Sequence, residues 1–587
     1  MTVNGKASWQ GVAEVRHSPS PSPCPSLMKT HVQVQRVQKD RAAAIPSKWV
    51  IPPSKLDEMK RSTTRMVDLL PSLLPHHELQ ITDLDATTLG QKLGQGQLSC
   101  LQVAEAYCHQ AAVAQQLSNC LSDIFFVEAL ERARELDRIR EATGEPVGPL
   151  HGVPVSIKDH IDVEGRRSFA GFICNASQPV RGSDALVVEI LRKAGAVLYA
   201  KTTNPQTLMV LETVSNLHGR TVNPWNSSLG CGGSSGGEGA LLALHGSALG
   251  VGSDIGGSVR VPAAFNGVYG FKPSSGRLPS SGFECSMMGF ESVAGTFGPL
   301  GRSVEDLDLF MRLVLAAEPW LREPMLAMPW RSQTELLRRE KLRIGLMAWD
   351  GVVMPHPYIT RVLADVRVKL ERAGHEVIDF EPHDHKKAWD EILLPLYFCD
   401  GAAGIKRALA AGNEPILPSA RRLVEDPAVR VRSVEENWEL NVARDTYRAE
   451  YLEKWTATAN QTKSGNIMDV LICPPCPLQS TPHDVKPWWG YTAIWNLLDY
   501  PAGVIPAGKV LATDAYPEGY QPVNELDKEN MELYDNGLYL GMPVAIQLVG
   551  RRHDDERVMG AMQIVDNVLR GLVESARRSR WVLEEEE

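Results

Sequence analysis

The sequence predicts an α/β fold in which helices cover a β-sheet. Three observations predict it. Short apolar or β-branched runs of strand length alternate along the chain with segments of helical Ala/Leu periodicity. The run at 153–157 alternates and branches as a buried strand does, and it ends on Lys158. Residues 238–245 read as a short helix, and 247–253, small and apolar, read as a second buried strand. With 587 residues and 43% hydrophobic content, the chain can bury a large core. No Pro- or Ser-rich seam divides the patterned part, so 41–587 is expected to be a single domain with a helical N-terminal region.

Residues 1–40 differ in composition. With the low-complexity run SPSPSPCPS from Ser18, residues 1–40 are expected to form a disordered or extended N-terminal extension. It carries no apolar segment of a secretory signal and too little arginine for a typical transit peptide, and Met28 is a second candidate initiator.

From Gly148 the chain reads GPLHGVPVSIKDHIDVEG, which places Lys158 at the end of the first strand. A lone lysine at a strand end is ordinarily a solvated surface charge. If it is buried, the neutral amine is favoured, and a neutral amine accepts a proton from a hydroxyl. Two serine loops give it something to act on. In the first, Gly232, Gly233, Gly236 and Gly237 surround Ser234 and Ser235 and allow close approach of a substrate; the helix at 238–245 follows, so backbone N–H groups face the loop. In the second, Asp254-Ile255-Gly256-Gly257-Ser258 has little side-chain bulk, and its successive N–H groups can converge on one oxygen. A Ser/Gly run alone reads as a linker, but these flanks are apolar and patterned. Residues 232–236 also satisfy G-x-S-x-G, the hydrolase nucleophile elbow; that motif needs an acid and a histidine downstream, and no segment singles out such a pair.

Taken together, the segments around Lys158, Ser234 and Ser258 resemble the amidase signature family. The likeness extends to KTTNPQ from Lys201, TVNPW from Thr221, FKPS from Phe271 and GMPVAIQLVG from Gly541. Residues 81–136 and the stretch WWGYTAIWNLLDYPAGVIPAG from Trp488 are similar to fungal acetamidase-type members. The resemblance implies an α/β amidase signature fold, a large mixed twisted β-sheet covered by helices on both faces. It implies a Ser-Ser-Lys triad with Lys158 as base, Ser234 as bridge and Ser258 as nucleophile. It further implies an oxyanion hole from Ile255, Gly256, Gly257 and Ser258, substrate contacts from Met209, Ser234, Ile255, Gly256 and Gly257, and loop support from Asp254 and Arg260. One departure stands out: His160 occupies a place often taken by Asn or Thr in relatives, which alters the pocket wall and leaves the triad whole.

The implied reaction is hydrolysis of small primary amides to acid and ammonia through a seryl acyl-enzyme, with no metal and no organic cofactor. An ester hydrolase or an amide-forming enzyme of the same fold is the alternative, and a partner-dependent amidotransferase subunit a more distant one. The implied partner is a small-molecule amide, with a homodimer possible and a cytoplasmic location expected. Composition narrows the field independently. A formal charge of −10 disfavours a nucleic-acid surface, and no run of about 18 apolar residues exists for a spanning helix. Ten dispersed cysteines fit a reducing compartment, and Cys473-Pro474-Pro475-Cys476, without a second pair, reads as a loop. Residues 584–587, all Glu, read as a solvated tail. For the acyl pocket the candidates are Leu208, Met209, residues 397–401 and the aromatic set Trp488, Trp489, Tyr491 and Trp495, the last competing with plain core packing.

Overall fold

In the computed structural model, which describes residues 25–331 and 341–571, eleven strands form one mixed sheet. Its N-terminal half contains β1 (Leu121–Ile124), β2 (Pro154–Lys158) and β3 (Val197–Thr202). Two small ribbons follow, β4 (Val214–Ser215) with β5 (Gly219–Arg220), and β6 (Val222–Asn223) with β7 (Asn226–Gly230). The main sheet resumes with β8 (Leu249–Asp254), β9 (Tyr269–Lys272), β10 (Thr296–Gly301), β11 (Arg343–Leu346) and β12 (Glu376–Asp379). It is completed by β13 (Val470–Cys473), β14 (Ala502–Lys509) and β15 (Pro543–Val549), in the order β1-β3-β2-β8-β10-β9-β14-β15-β13-β11-β12. Two parallel blocks, β3-β2-β8 and β13-β11-β12, are joined by antiparallel strands.

The pleat explains how the sheet is covered. Along β15, Val544, Ile546 and Leu548 join one apolar cluster with Val558, Met559 and Met562 of the helix Asp555–Leu569. Ala545 and Val549 point the other way, into a second cluster with Val261, Ala263 and Phe265 of the helix Arg260–Asn266. Alternate residues thus reach opposite faces, and helices lie on both. β2 is buried at every residue and has a parallel neighbour on each side, in keeping with the branched run that 153–157 shows in the sequence.

The expected helix at 238–245 is Gly236–Ala243, and the expected strand at 247–253 is β8, shifted by one or two residues. The long helix Cys100–Ser118 starts on a capping box, in which Ser99 and Gln102 satisfy each other's backbone N–H. The N-terminus requires a correction. Helix Pro25–Ala43 occupies part of the stretch expected to lack structure, and it docks on the domain: Gln38 Nε2 donates to Leu217 O (3.0 Å) and Arg41 Nη1 to Leu121 O (2.7 Å). Residues 18–24 of the low-complexity run and the terminal 584–587 lie outside the described residues. Among the described residues, no helix is long and apolar enough to cross a membrane, and no group of three or more His, Cys, Asp or Glu is placed to hold a metal ion. Cys473 is the last residue of β13 rather than a loop residue, and burial pushes the thiols of Cys473 and Cys476 up to about 12, as unreactive core cysteines.

Candidate active site

β2 and β8 are parallel neighbours, with Ile157 opposite Val251, so both strands end on the same side and deliver Lys158 beside Ser253 and Asp254. Lys158 is fully buried, and its Nζ lies 2.7 Å from Ser234 Oγ and 2.9 Å from Ser253 Oγ. Burial pulls the amine down from 10.5 to about 7 against the opposing fields of Asp254, Glu238 and Asp159. Two of those carboxylates give the charged amine less help than an exposed carboxylate would. Burial pushes Glu238 up to about 7, where it accepts from Ser156 Oγ (2.5 Å) and Thr202 Oγ1 (2.8 Å). Asp159 is likewise pushed up by burial, to about 6. Ser234 lies at the end of the first glycine loop, one residue before Ser235, the N-cap of the helix Gly236–Ala243.

The second loop is held from below by ions and from behind by aromatic side chains. Asp254 accepts from Gly257 N (2.7 Å), Val259 N (3.1 Å), Arg260 Nε (3.0 Å), Arg260 Nη2 (2.9 Å) and Asn496 Nδ2 (3.0 Å). Burial by itself would raise this carboxyl, but the fully buried Arg260 guanidinium holds it far below the usual carboxylate range. Arg260 also donates to Thr492 O (3.0 Å), Gln547 Oε1 (2.7 Å) and Asn496 Oδ1 (2.6 Å), which ties the loop to distant segments. The carbonyl of Ile255 accepts from Tyr397 OH (2.5 Å), and that of Gly256 from Trp489 Nε1 (2.5 Å) and Thr492 Oγ1 (2.8 Å). Because a peptide N–H points opposite to its C=O, tethering the Ile255 carbonyl turns the Gly256 N–H away from Tyr397. A Cβ at Gly256 would stand 2.7 Å from Trp489 Cζ2, and one at Gly257, whose φ is +129°, 2.3 Å from Thr492 Oγ1, so both glycines are required by this close backing.

These contacts correct two expectations. The Gly257 N–H, expected from the sequence to face an oxyanion, is already committed to Asp254. The residues Tyr397, Trp489 and Thr492 brace the loop from outside the cavity. Tyr397 and Trp489 belong to the apolar core with Trp488, Tyr491 and Trp495, and the two stack at 6.0 Å. The cavity itself, about 280 Å³, opens on Ser234, Ser253 and Ser258. Its walls are Leu208, Met209, Ile255, Phe283, Met287, Phe290 and Phe297, with His160 and Thr207. Leu208, Met209, Ser234 and Ile255 line this cavity, while the Cα atoms of Gly256 and Gly257 face Trp489 and Thr492.

Comparisons with known proteins identify the family. Residues 102–559 match the family model described as Amidase. The chain belongs to the amidase signature family. It is 40% identical over 546 residues to an acetamidase of Emericella nidulans, covering 91% of this chain and 97% of that protein. An acetamidase of Aspergillus oryzae is 41% identical over 504 residues, with 85% and 92% covered. Among solved structures, a fatty acid amide hydrolase superposes with a TM-score of 0.87 at 33% identity, covering 93% of this chain and 96% of the other. The fold is thus the amidase signature fold, and the protein is a hydrolase acting on carbon–nitrogen bonds of amides.

Two groups of site residues escaped sequence reasoning. Ser253 was read only as part of a strand, because nothing in a small apolar run distinguishes a hydroxyl that faces a lysine. The wall at 283–297 is not legible because it is an irregular loop as far as β10; its three phenylalanines, spaced seven residues apart in sequence, are the available signal.

Proposed function

We propose that the protein hydrolyses primary carboxylic amides by acyl transfer through Ser258, Ser234 and Lys158. The observation that carries this reading is a buried lysine, pulled down to about 7 by burial, within 2.7 Å of a serine that shares one cavity with the nucleophile. Ser258 Oγ attacks the amide carbon, its proton passes to Ser234 Oγ, and the Ser234 proton passes to Lys158 Nζ. The resulting oxyanion accepts from the Ile255, Gly256 and Ser258 amides, held in place by the fixed loop so that no reorganisation is needed as charge develops. As the intermediate collapses, the relay runs backwards and protonates the departing nitrogen, releasing ammonia and leaving the acyl group on Ser258. Water then enters along the same proton path, and the acid leaves.

The cavity bears on the acyl group. Seven apolar side chains, three of them phenylalanines, give room and affinity for an aryl-acetic or medium aliphatic acyl chain beyond acetyl. The test is ammonia release from acetamide, phenylacetamide and indole-3-acetamide by the wild type and by Ser258→Ala. Release that disappears with Ser258 and favours the aryl amides supports the proposal. No release from any amide by folded wild-type protein, or release that survives in Ser258→Ala, overturns it.

A further inference from the structure

We propose that His160 is a positioning residue that acts through Ser253 to fix the direction of the hydrogen bonds around Lys158, so that the amine's lone pair faces Ser234. The inference rests on the triad reading above and concerns a side chain outside the triad.

His160 is buried, with its ring edge-on to Phe283 and Phe297 at 5.9 and 6.4 Å. Its Nδ1 lies 3.1 Å from the carbonyl oxygen of Glu284. A carbonyl only accepts, so Nδ1 carries the hydrogen. Burial and the adjacent Lys158 hold the ring neutral, well below the ordinary histidine range, which leaves Nε2 as a bare acceptor. Nε2 is 2.9 Å from Ser253 Oγ, so Ser253 donates its single hydrogen there. The contact of Ser253 Oγ with Lys158 Nζ, also 2.9 Å, then has only one permitted direction: the lysine donates.

A neutral amine has two hydrogens and one lone pair. With one N–H directed at Ser253, the lone pair is left to accept from Ser234 Oγ–H at 2.7 Å, the direction in which the proton must travel. The serine is also a better acceptor because it is itself a donor to His160, as in any polarised chain of hydrogen bonds. Without His160 the Ser253 hydroxyl is free to turn and donate into the lone pair. Ser253 and Ser234 would then compete for one acceptor, and the Ser234 proton would often have nowhere to go. The ground-state fit of the substrate does not depend on that choice, so kcat falls more than KM rises.

The test measures kcat, KM and melting temperature for His160→Phe, His160→Gln, Ser253→Ala, the double variant His160→Phe/Ser253→Ala, and Lys158→Ala, on an amide the wild type hydrolyses. Loss of the hydrogen-bond acceptor in His160→Phe should lower kcat about tenfold or more with KM within about threefold. Gln, whose amide oxygen accepts from Ser253, should recover most of that loss. The double variant should be no slower than the slower single variant, because removing Ser253 also removes the competing donor. A His160→Phe enzyme with wild-type kcat, or losses that multiply in the double variant, overturns the proposal. If His160→Phe lacks the wild-type melting transition, His160→Gln decides, with kcat within about threefold of wild type expected and a loss beyond about tenfold overturning it. Near-wild-type turnover in Lys158→Ala would overturn the triad itself, a result separate from any outcome at His160.

Discussion

Replacing Lys158 with methionine keeps a side chain of similar length and removes the nitrogen whose burial the site requires. Burial takes the amine from 10.5 to about 7, a fall equivalent to about 5 kcal/mol at roughly 1.36 kcal/mol per pH unit. The sign follows from where each state holds its proton. The unfolded chain keeps the lysine protonated up to about 10.5, whereas the folded chain releases the proton from about 7. Between those values the unfolded state binds more protons, so wild-type stability rises with pH; the penalty is complete below about 7 and gone above 10.5. The methionine variant is spared this penalty, and its advantage should be about 5 kcal/mol at pH 6 and about 1.5 kcal/mol at pH 9.5. For a chain of this size, whose unfolding entropy is on the order of 1 kcal/mol per kelvin, that is a gap of about 4 °C narrowing to about 1–2 °C. The hydrogen bonds to Ser234 and Ser253 are lost at every pH, so they displace both values equally and leave the narrowing as the quantity to read. Thermal melts of both proteins from pH 6 to 9.5, at one scan rate, measure it. Parallel melting profiles would mean that the lysine folds with its charge and would refute its role as a base. In the wild type, kcat/KM should rise through about pH 7 as the amine deprotonates, and a flat profile across that range would refute the same reasoning.

Asp254→Asn leaves the fully buried Arg260 guanidinium without its counter-charge and should cost about 3–5 kcal/mol of stability, read as a lower melting temperature together with lost turnover; an unchanged melt refutes the loop-support role. Tyr397→Phe removes the tether on the Ile255 carbonyl and should lower kcat about tenfold while costing about 1 kcal/mol of stability, with KM unchanged; wild-type kcat would show that the tether does not set the Gly256 N–H. The atoms nearest to a Cβ at Gly295 belong to Ile255, at an ordinary 3.5 Å or more, so Gly295→Val should fold and narrow the cavity. It should reduce the phenylacetamide-to-acetamide ratio of kcat/KM about tenfold, a change of about 1.4 kcal/mol, and an unchanged ratio would place the acyl group elsewhere.

What was legible in the sequence is what short segments carry by themselves. The strand ending on Lys158 and both glycine-flanked serine loops lie within runs of ten residues or fewer, where periodicity and glycine placement speak directly. The role of the aromatic stretch was not legible, because a Trp-rich run has the same composition whether it lines a pocket or backs a loop. Trp489 reaches the Gly256 carbonyl from 233 residues away, and Tyr397 reaches that of Ile255 from 142 away. Helix Pro25–Ala43 was obscured for a related reason: its mean composition is polar, and it is anchored by bonds to Leu121 and Leu217 that no local pattern announces.

The same separation bears on how selectivity and catalysis are coupled. Phe283, Met287, Phe290 and Phe297 supply most of the apolar wall, so this stretch is where acyl preference would be altered. Yet Glu284, within it, provides the carbonyl that fixes the His160 tautomer, and Phe283 and Phe297 hold the His160 ring edge-on. A substitution that only reshapes the wall, such as Met287→Ala, leaves those contacts in place and should change KM among amides at nearly constant kcat. An insertion beside Glu284 displaces the carbonyl, frees His160 to exchange tautomers, and should lower kcat for every amide alike, because the fault then lies at the base and not in the pocket.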